Sequence, residues 1–259
     1  MKRFVLIAAL VLPVAFTSCK KVDPLVKNNN HEVIMPMAID LNIQVDGNWV
    51  KWANFNLGAT DEAEYGNYYA WGETETKMEG YSWGTYKYAD PLGLEFTKYC
   101  RADQDDWWGG SKSVDNRETL VTSDDAAKKF LKGKWRMPTI NEVLALLYTQ
   151  KLPDYEWEYD ELTDVNNIYG NRIAGFRVTS KKTGESVFFP LGGRIIDKSP
   201  EEVNALGYYW TSSLSEGDDG GPDGAYCLGL DPYEETAGRW TIGRYYGALI
   251  RPVYVTPVE

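Results

Sequence analysis

Apolar and polar positions first alternate at Ile39, Leu41, Ile43 and Val45, with Asp40, Asn42 and Gln44 between them. A period of two puts the apolar set on one face of a strand. Asp46-Gly47 is a tight-hairpin dipeptide, and Trp49, Val50 and Trp52 begin the returning strand. Residues 77–122 hold turn formers and aromatics without a sustained period, which predicts long loops with short strands. A loop region of that length in a compact domain is uncommon and often functional.

The period then lengthens. In "TSDDAAKKFLKGKW", Ala126, Ala127, Phe130 and Leu131 form one apolar stripe. Ser123 is the expected N-cap, Asp124 and Asp125 suit the positive helix start, and Gly133 can end the helix. A second helix is predicted over 139–149, where Val143, Leu144, Leu146 and Leu147 cover most of the circumference. From residue 171 onward the pattern is strand-like again. "NRIAGFRVTS" and "ESVFFPLGG" read as a hairpin, and "LGYYWTSS", "GAYCLGLD", "GRWTIGR" and "GALIRPVYV" as four further short strands. Strands, helices, then strands predict an α+β domain: two helices packed on short twisted antiparallel sheets with long loops.

The entrance to the second helix, "GKWRMPTINE", is the most specific local signal. Thr139 and Glu142 match the capping box, in which each side chain bonds the other's backbone N–H. Pro138 stands just before the cap and keeps Met137 extended. Arg136 beside a core helix needs a carboxylate or carbonyl partner, and a structural ion pair is favoured over a ligand contact.

The N-terminus sets the compartment. Lys2 and Arg3, an apolar core and small residues before Cys19 predict a secretory signal over 1–18. "FTSC" resembles a bacterial lipoprotein box, which implies that Cys19 carries the lipid. The polar stretch 19–32 reads as a flexible tether, and 33–259 as one domain, since no second linker is evident. No later apolar stretch approaches the ~20 residues needed to span a bilayer, so the membrane is met only through the anchor.

Charge and residue inventory narrow the chemistry. A net charge of −11 repels phosphate backbones, so nucleic acid is not an expected partner. Ten Trp and eighteen Tyr are too many for a disordered acidic chain, and some are expected at the surface for recognition. The lone histidine, His31, lies in the tether, which removes His-based nucleophile pairs and metal sites from the domain. Cys100 and Cys227 could pair or stay as buried thiols. "DQDD" and "EGDDGGPDG" could offer oxygens to calcium but match no EF-hand and read first as solvated loops. Neither a metal nor a cofactor is expected.

Five segments occur in order: "VKWANFNLGATDEAEYGNYYAWGETE", "DDAAKKFLKGKWRMPTINEVLAL", "FFPLGGR", "GYYWTSS" and "GALIRPV". Their succession resembles the Fibrobacter succinogenes major paralogous domain family, common in lipoproteins of gut Bacteroides-like bacteria. The "WRMPT-x-x-E" corner and "IRPV" resemble segments of formylglycine-generating enzymes. The resemblance implies a C-type lectin-like fold, with Trp135, Arg136, Thr139, Glu142 and Arg251 as scaffold. It also implies a binding face on the last strands and their loops. The candidates there are Trp210, Tyr226, Asp231, Tyr233, Arg239, Trp240, Arg244, Tyr245 and Tyr246. The EPN, QPD and WND calcium motifs of lectins are absent from the sequence, as are the cysteine pair and three-His site of the oxidative enzymes.

The leading expectation is an outer-membrane, surface-exposed lipoprotein, non-catalytic, that binds an extracellular glycan or protein. An assembly subunit of a surface appendage is the alternative. A glycan-active enzyme would need two carboxylates facing each other ~5–10 Å apart across a cleft.

Overall fold

The structure, a computed structural model, describes residues 34–90, 95–102, 114–163, 172–216, 223–234 and 236–258. The expected signal, Cys19, the tether with His31 and the "DQDD" loop lie outside them, as does most of "EGDDGGPDG".

The Asp46-Gly47 turn folds as its dihedrals require. Both residues have positive φ, 49° and 74°, and join β1 (Ala38–Val45) to β2 (Asn48–Ala53). These pair with β12 (Val253–Pro257), which also pairs with the two-residue β3 (Trp135–Arg136). A second sheet runs β4 (Tyr155–Thr163), β5 (Arg172–Ser180) and β6 (Ser186–Pro190). A two-stranded ribbon joins β7 (Arg194–Ile196) to β8 (Ser199–Glu201). The last sheet has β10 (Gly224–Asp231) at its centre, between β9 (Gly207–Leu214) and β11 (Thr236–Gly243).

The expected α+β class, two helices packed on sheets in a C-type lectin-like fold, is overturned. Strands dominate the described residues, in four small antiparallel sheets. The first helix, α1 (Ala126–Leu131), has only six residues. It starts late because Asp125, not Ser123, is the cap, its side chain accepting from the Lys128 N–H. It stops early because Lys132 takes a φ of 58° outside the helical region. The apolar stripe was real but too short to form a layer. The substantial helix is α2 (Ile140–Tyr148), extended by a 3₁₀ turn at Thr149–Lys151. No described helix is long and apolar enough to cross a membrane.

The interior has two large cores with the β9–β10–β11 sheet between them, and a small third cluster of Ala63, Ile173 and Phe188. Tyr208, Trp210 and Cys227 belong to the first, with α1 and the aromatics Tyr81, Tyr86, Tyr88, Phe96 and Tyr99. The loops expected over 77–122 thus supply much of one core wall. Tyr209, Leu228 and Leu230 face the second core, with α2 and the inward faces of the other two large sheets. Alternation along a strand assigns neighbouring residues to opposite cores.

Each core holds one fully buried arginine. Arg251 lies over the Phe189 ring at 4.8 Å. It donates to Asn56 Oδ1 at 2.7 Å, Ala53 O at 2.9 Å and Phe188 O at 2.7 Å. Burial lowers its pKa to about 10, so it stays charged at neutral pH. These bonds tie the end of β2 and the loop after it to β6. Lysine is a point donor and cannot reproduce a planar fork. Arg251→Lys should lose at least one of these bonds and leave a buried carbonyl unsatisfied. The expected cost is about 2–4 kcal/mol, read as a lowered urea midpoint with an unchanged slope. A midpoint equal to wild type would show that the fork contributes nothing.

Candidate functional site

The nine candidates of the last strands do not form one surface. Trp210 is 0% exposed, and its Nε1 donates to Tyr69 O at 2.8 Å. Burying an indole contributes about 4–6 kcal/mol, so Trp210 is core rather than contact. Arg244 is equally buried, 3.8 Å from the Phe96 ring centroid, and donates to Tyr99 O at 3.2 Å. Tyr226 is buried under Arg239, whose guanidinium lies 5.0 Å from its ring while remaining exposed itself. Trp240, Tyr245 and Tyr246 are half-buried in a ring cluster. Trp240 stacks at 5.4 Å on Tyr208, Tyr245 at 4.6 Å on Trp83, and Tyr246 lies 5.0 Å from Arg194.

Asp231 and Tyr233 sit elsewhere, in the β10–β11 turn. Asp231 Oδ1 accepts from the Tyr233 N–H at 2.8 Å and the Glu234 N–H at 3.4 Å. That carboxylate shapes the turn and lifts Tyr233 to 81% exposure. The scaffold residues occupy the helix entrance. Thr139 and Glu142 make the capping box, and Arg136 grips Glu142 with two nitrogens at 2.7 and 2.5 Å. Trp135 is buried, edge-on to Tyr254. Cys100 and Cys227 are buried thiols not joined in a disulfide, and burial pushes the Cys227 thiol up, away from reactivity.

Tyr233 overhangs an open cleft of about 560 Å³ between the β4–β5 surface and the β10–β11 turn. Two of its other rings, Trp157 and Tyr159, come from a strand that the hydrophobic pattern does not single out. Trp157 and Tyr159 are two apart on β4 and share a face. Phe176 of β5 stands opposite Tyr159 in register, and the two rings meet edge to face at 6.2 Å. Trp157 Nε1 donates to Thr149 Oγ1 at 2.8 Å, which fixes the indole against the 3₁₀ turn. Pro232 and Ala237 complete the apolar lining.

Two amides sit at the polar edge. Gln150 Nε2 donates to Leu147 O and, at 3.3 Å, to Ala237 O, binding the helix end to β11. Asn204 accepts from the Ala174 N–H and the Tyr65 hydroxyl and donates to Arg172 O. Asn204 therefore acts as a brace. The Tyr159 phenol is raised in pKa by burial first, then by the Glu161 carboxylate and by Tyr233 nearby. Among the described residues the lining carries no carboxylate, imidazole or thiol. A smaller groove of about 250 Å³ lies at the α2 entrance, where Arg101 and Glu118 pair at 3.5 Å. Among the described residues no group of three or more His, Cys, Asp or Glu side chains could hold a metal ion.

Sequence reading missed Trp157, Tyr159 and Phe176. The signal was "YEWEYDE", in which aromatics and carboxylates alternate with period two. No family model, curated protein or solved structure matches the chain.

Trp240 owes its place to Gly229, whose added Cβ would lie 1.9 Å from the indole Cδ2. Gly229→Ala should eject that ring from the sheet. We expect a loss of about 1–3 kcal/mol and a changed near-ultraviolet dichroism. An unaltered spectrum and midpoint would mean that the ring has room to move.

Proposed function

We propose that the chain is an envelope-anchored lipoprotein whose domain binds an extracellular ligand, glycan or protein, without transforming it. In this reading residues 1–18 are the secretory signal, Cys19 carries the lipid and the tether holds the domain at the outer-membrane surface. The lipoprotein box and the ordered segments resembling the Fibrobacter succinogenes major paralogous domain family support the anchoring. The observation that carries the binding is the aromatic cleft. Its size falls in the ~300–1,000 Å³ range of small-molecule sites, and two of its rings, Tyr233 and Tyr159, are more than half exposed. Exposed, braced aromatics give much contact area for little ordering cost. Among the described residues the lining offers rings, phenols and amides with no carboxylate or imidazole beside them, which supports a non-catalytic role.

A second reading, assembly by strand addition, draws on β4, an edge strand of nine residues among those described. Glu156, Glu158 and Asp160 on that strand work against it, because charges on an edge oppose pairing with a neighbour.

Tyr233→Ala and Tyr159→Ala truncate exposed rings and should leave the thermal midpoint close to wild type. On cells displaying the full chain, each should weaken capture of a bound glycan or matrix protein by about tenfold or more. Full binding by the double variant would place recognition away from the cleft.

A further inference from the structure

We propose, resting on the binding role of the cleft, that its ligand is an uncharged saccharide chain laid against Trp157, Tyr159 and Tyr233. A pyranose has two chemically distinct surfaces. Its ring faces present C–H groups of slight positive charge, and its rim presents hydroxyls. The face of an aromatic ring is electron-rich, so it attracts such C–H groups while excluding water from them. Trp157, Tyr159 and Tyr233 bring three such rings to one open trough. The phenol hydroxyls and the Gln150 amide provide hydrogen-bonding groups for the rim.

The rings are held before any ligand arrives. The Thr149 hydroxyl fixes Trp157, Phe176 supports Tyr159, and the Asp231 carboxylate shapes the turn beneath Tyr233. Such preorganisation lowers the entropic cost of binding. A trough open above the rings suits the interior of a chain as well as its end.

Charge selects among saccharides. Among the described residues the lining holds no lysine or arginine. Glu161 shares the ring face of β4 and pairs with Arg172 at 2.8 Å, Glu156 and Glu158 alternate onto the opposite face, and the exposed Glu234 follows Tyr233. Uronates, sialates, sulfates and phosphates would find no pairing cation among the described lining residues and would approach a chain of net charge −11. Neutral sugars meet no such barrier. An extended peptide would exploit the β4 edge, and there the same carboxylates disfavour strand pairing unless the peptide is basic.

The test is affinity electrophoresis of the detergent-solubilised full chain. The gels contain glucomannan, xyloglucan, galactan or laminarin as neutral polymers, and polygalacturonate or heparin as anionic ones. At least one neutral polymer should retard the wild type, equally at ~0.05 and ~0.5 M salt, since no ion pair is involved. Tyr233→Ala should weaken that retardation at least tenfold, and Tyr233→Trp should restore it. Tyr148→Ala removes a tyrosine that is 59% exposed but outside the cleft, and should behave as wild type. Retardation by anionic polymers alone would overturn the proposal, as would neutral binding indifferent to Tyr233→Ala. If no polymer retards the chain, the saccharide assignment falls. Tyr233-dependent capture of deglycosylated fibronectin or collagen would then leave the cleft itself as the binding site. Loss of both would remove the cleft reading as well.

Discussion

The molecule is organised around a sheet that has no outer face along β9 and β10. All eight residues of β9 and seven of the eight in β10 are buried. With a core on each side, this sheet consumes its aromatics as interior: Trp210 on one side, Tyr209 on the other. A binding surface on β9 or β10 would require the chain to give up one of its cores. Recognition is therefore pushed outward, to the turn that leaves β10 and to β4, the edge strand across from it.

Two buried guanidiniums hold this layered interior in register. Arg244 and Arg251 each face aromatic rings and donate to backbone carbonyls. Guanidinium is the cation best suited to that company, being planar, weakly hydrated and rich in donors. Arg251 bears directly on the site. Its bond to Phe188 O anchors β6, which pairs with β5, which pairs with β4. The rings of the cleft are thus held through one sheet to a cation about which the first sheet and the loop after β2 are also fixed. Rigidity of that kind is what a preorganised recognition site needs.

Local chemistry was the legible part of the sequence. Asp46-Gly47 dictated a hairpin because both positions need positive φ, and Thr139 with Glu142 dictated a helix start because orphan N–H groups need acceptors. The strands β9, β10 and β11 were marked by composition and turns. What was not legible was extent and exposure. The stripe at Ala126–Leu131 promised a helix layer, but the cap at Asp125 and the backbone of Lys132 cut it to six residues. The sequence alone does not say whether a tyrosine lies inside or outside. Tyr226 and Tyr233, seven residues apart, ended buried and exposed respectively. Asp231 and Tyr233 of the candidate face lie at the turn bordering the cleft, while the β4 rings alternate with carboxylates and have no apolar run to mark their strand.

Hydrogen exchange with and without a neutral polysaccharide tests the central claim most directly, because it locates recognition without altering a residue. Slowed exchange should concentrate in the backbone of Tyr155–Glu161 and Pro232–Ala237, the two walls of the cleft. Protection confined to the α2 entrance, around Thr139–Asn141 and Ser213–Glu216, would contradict the account.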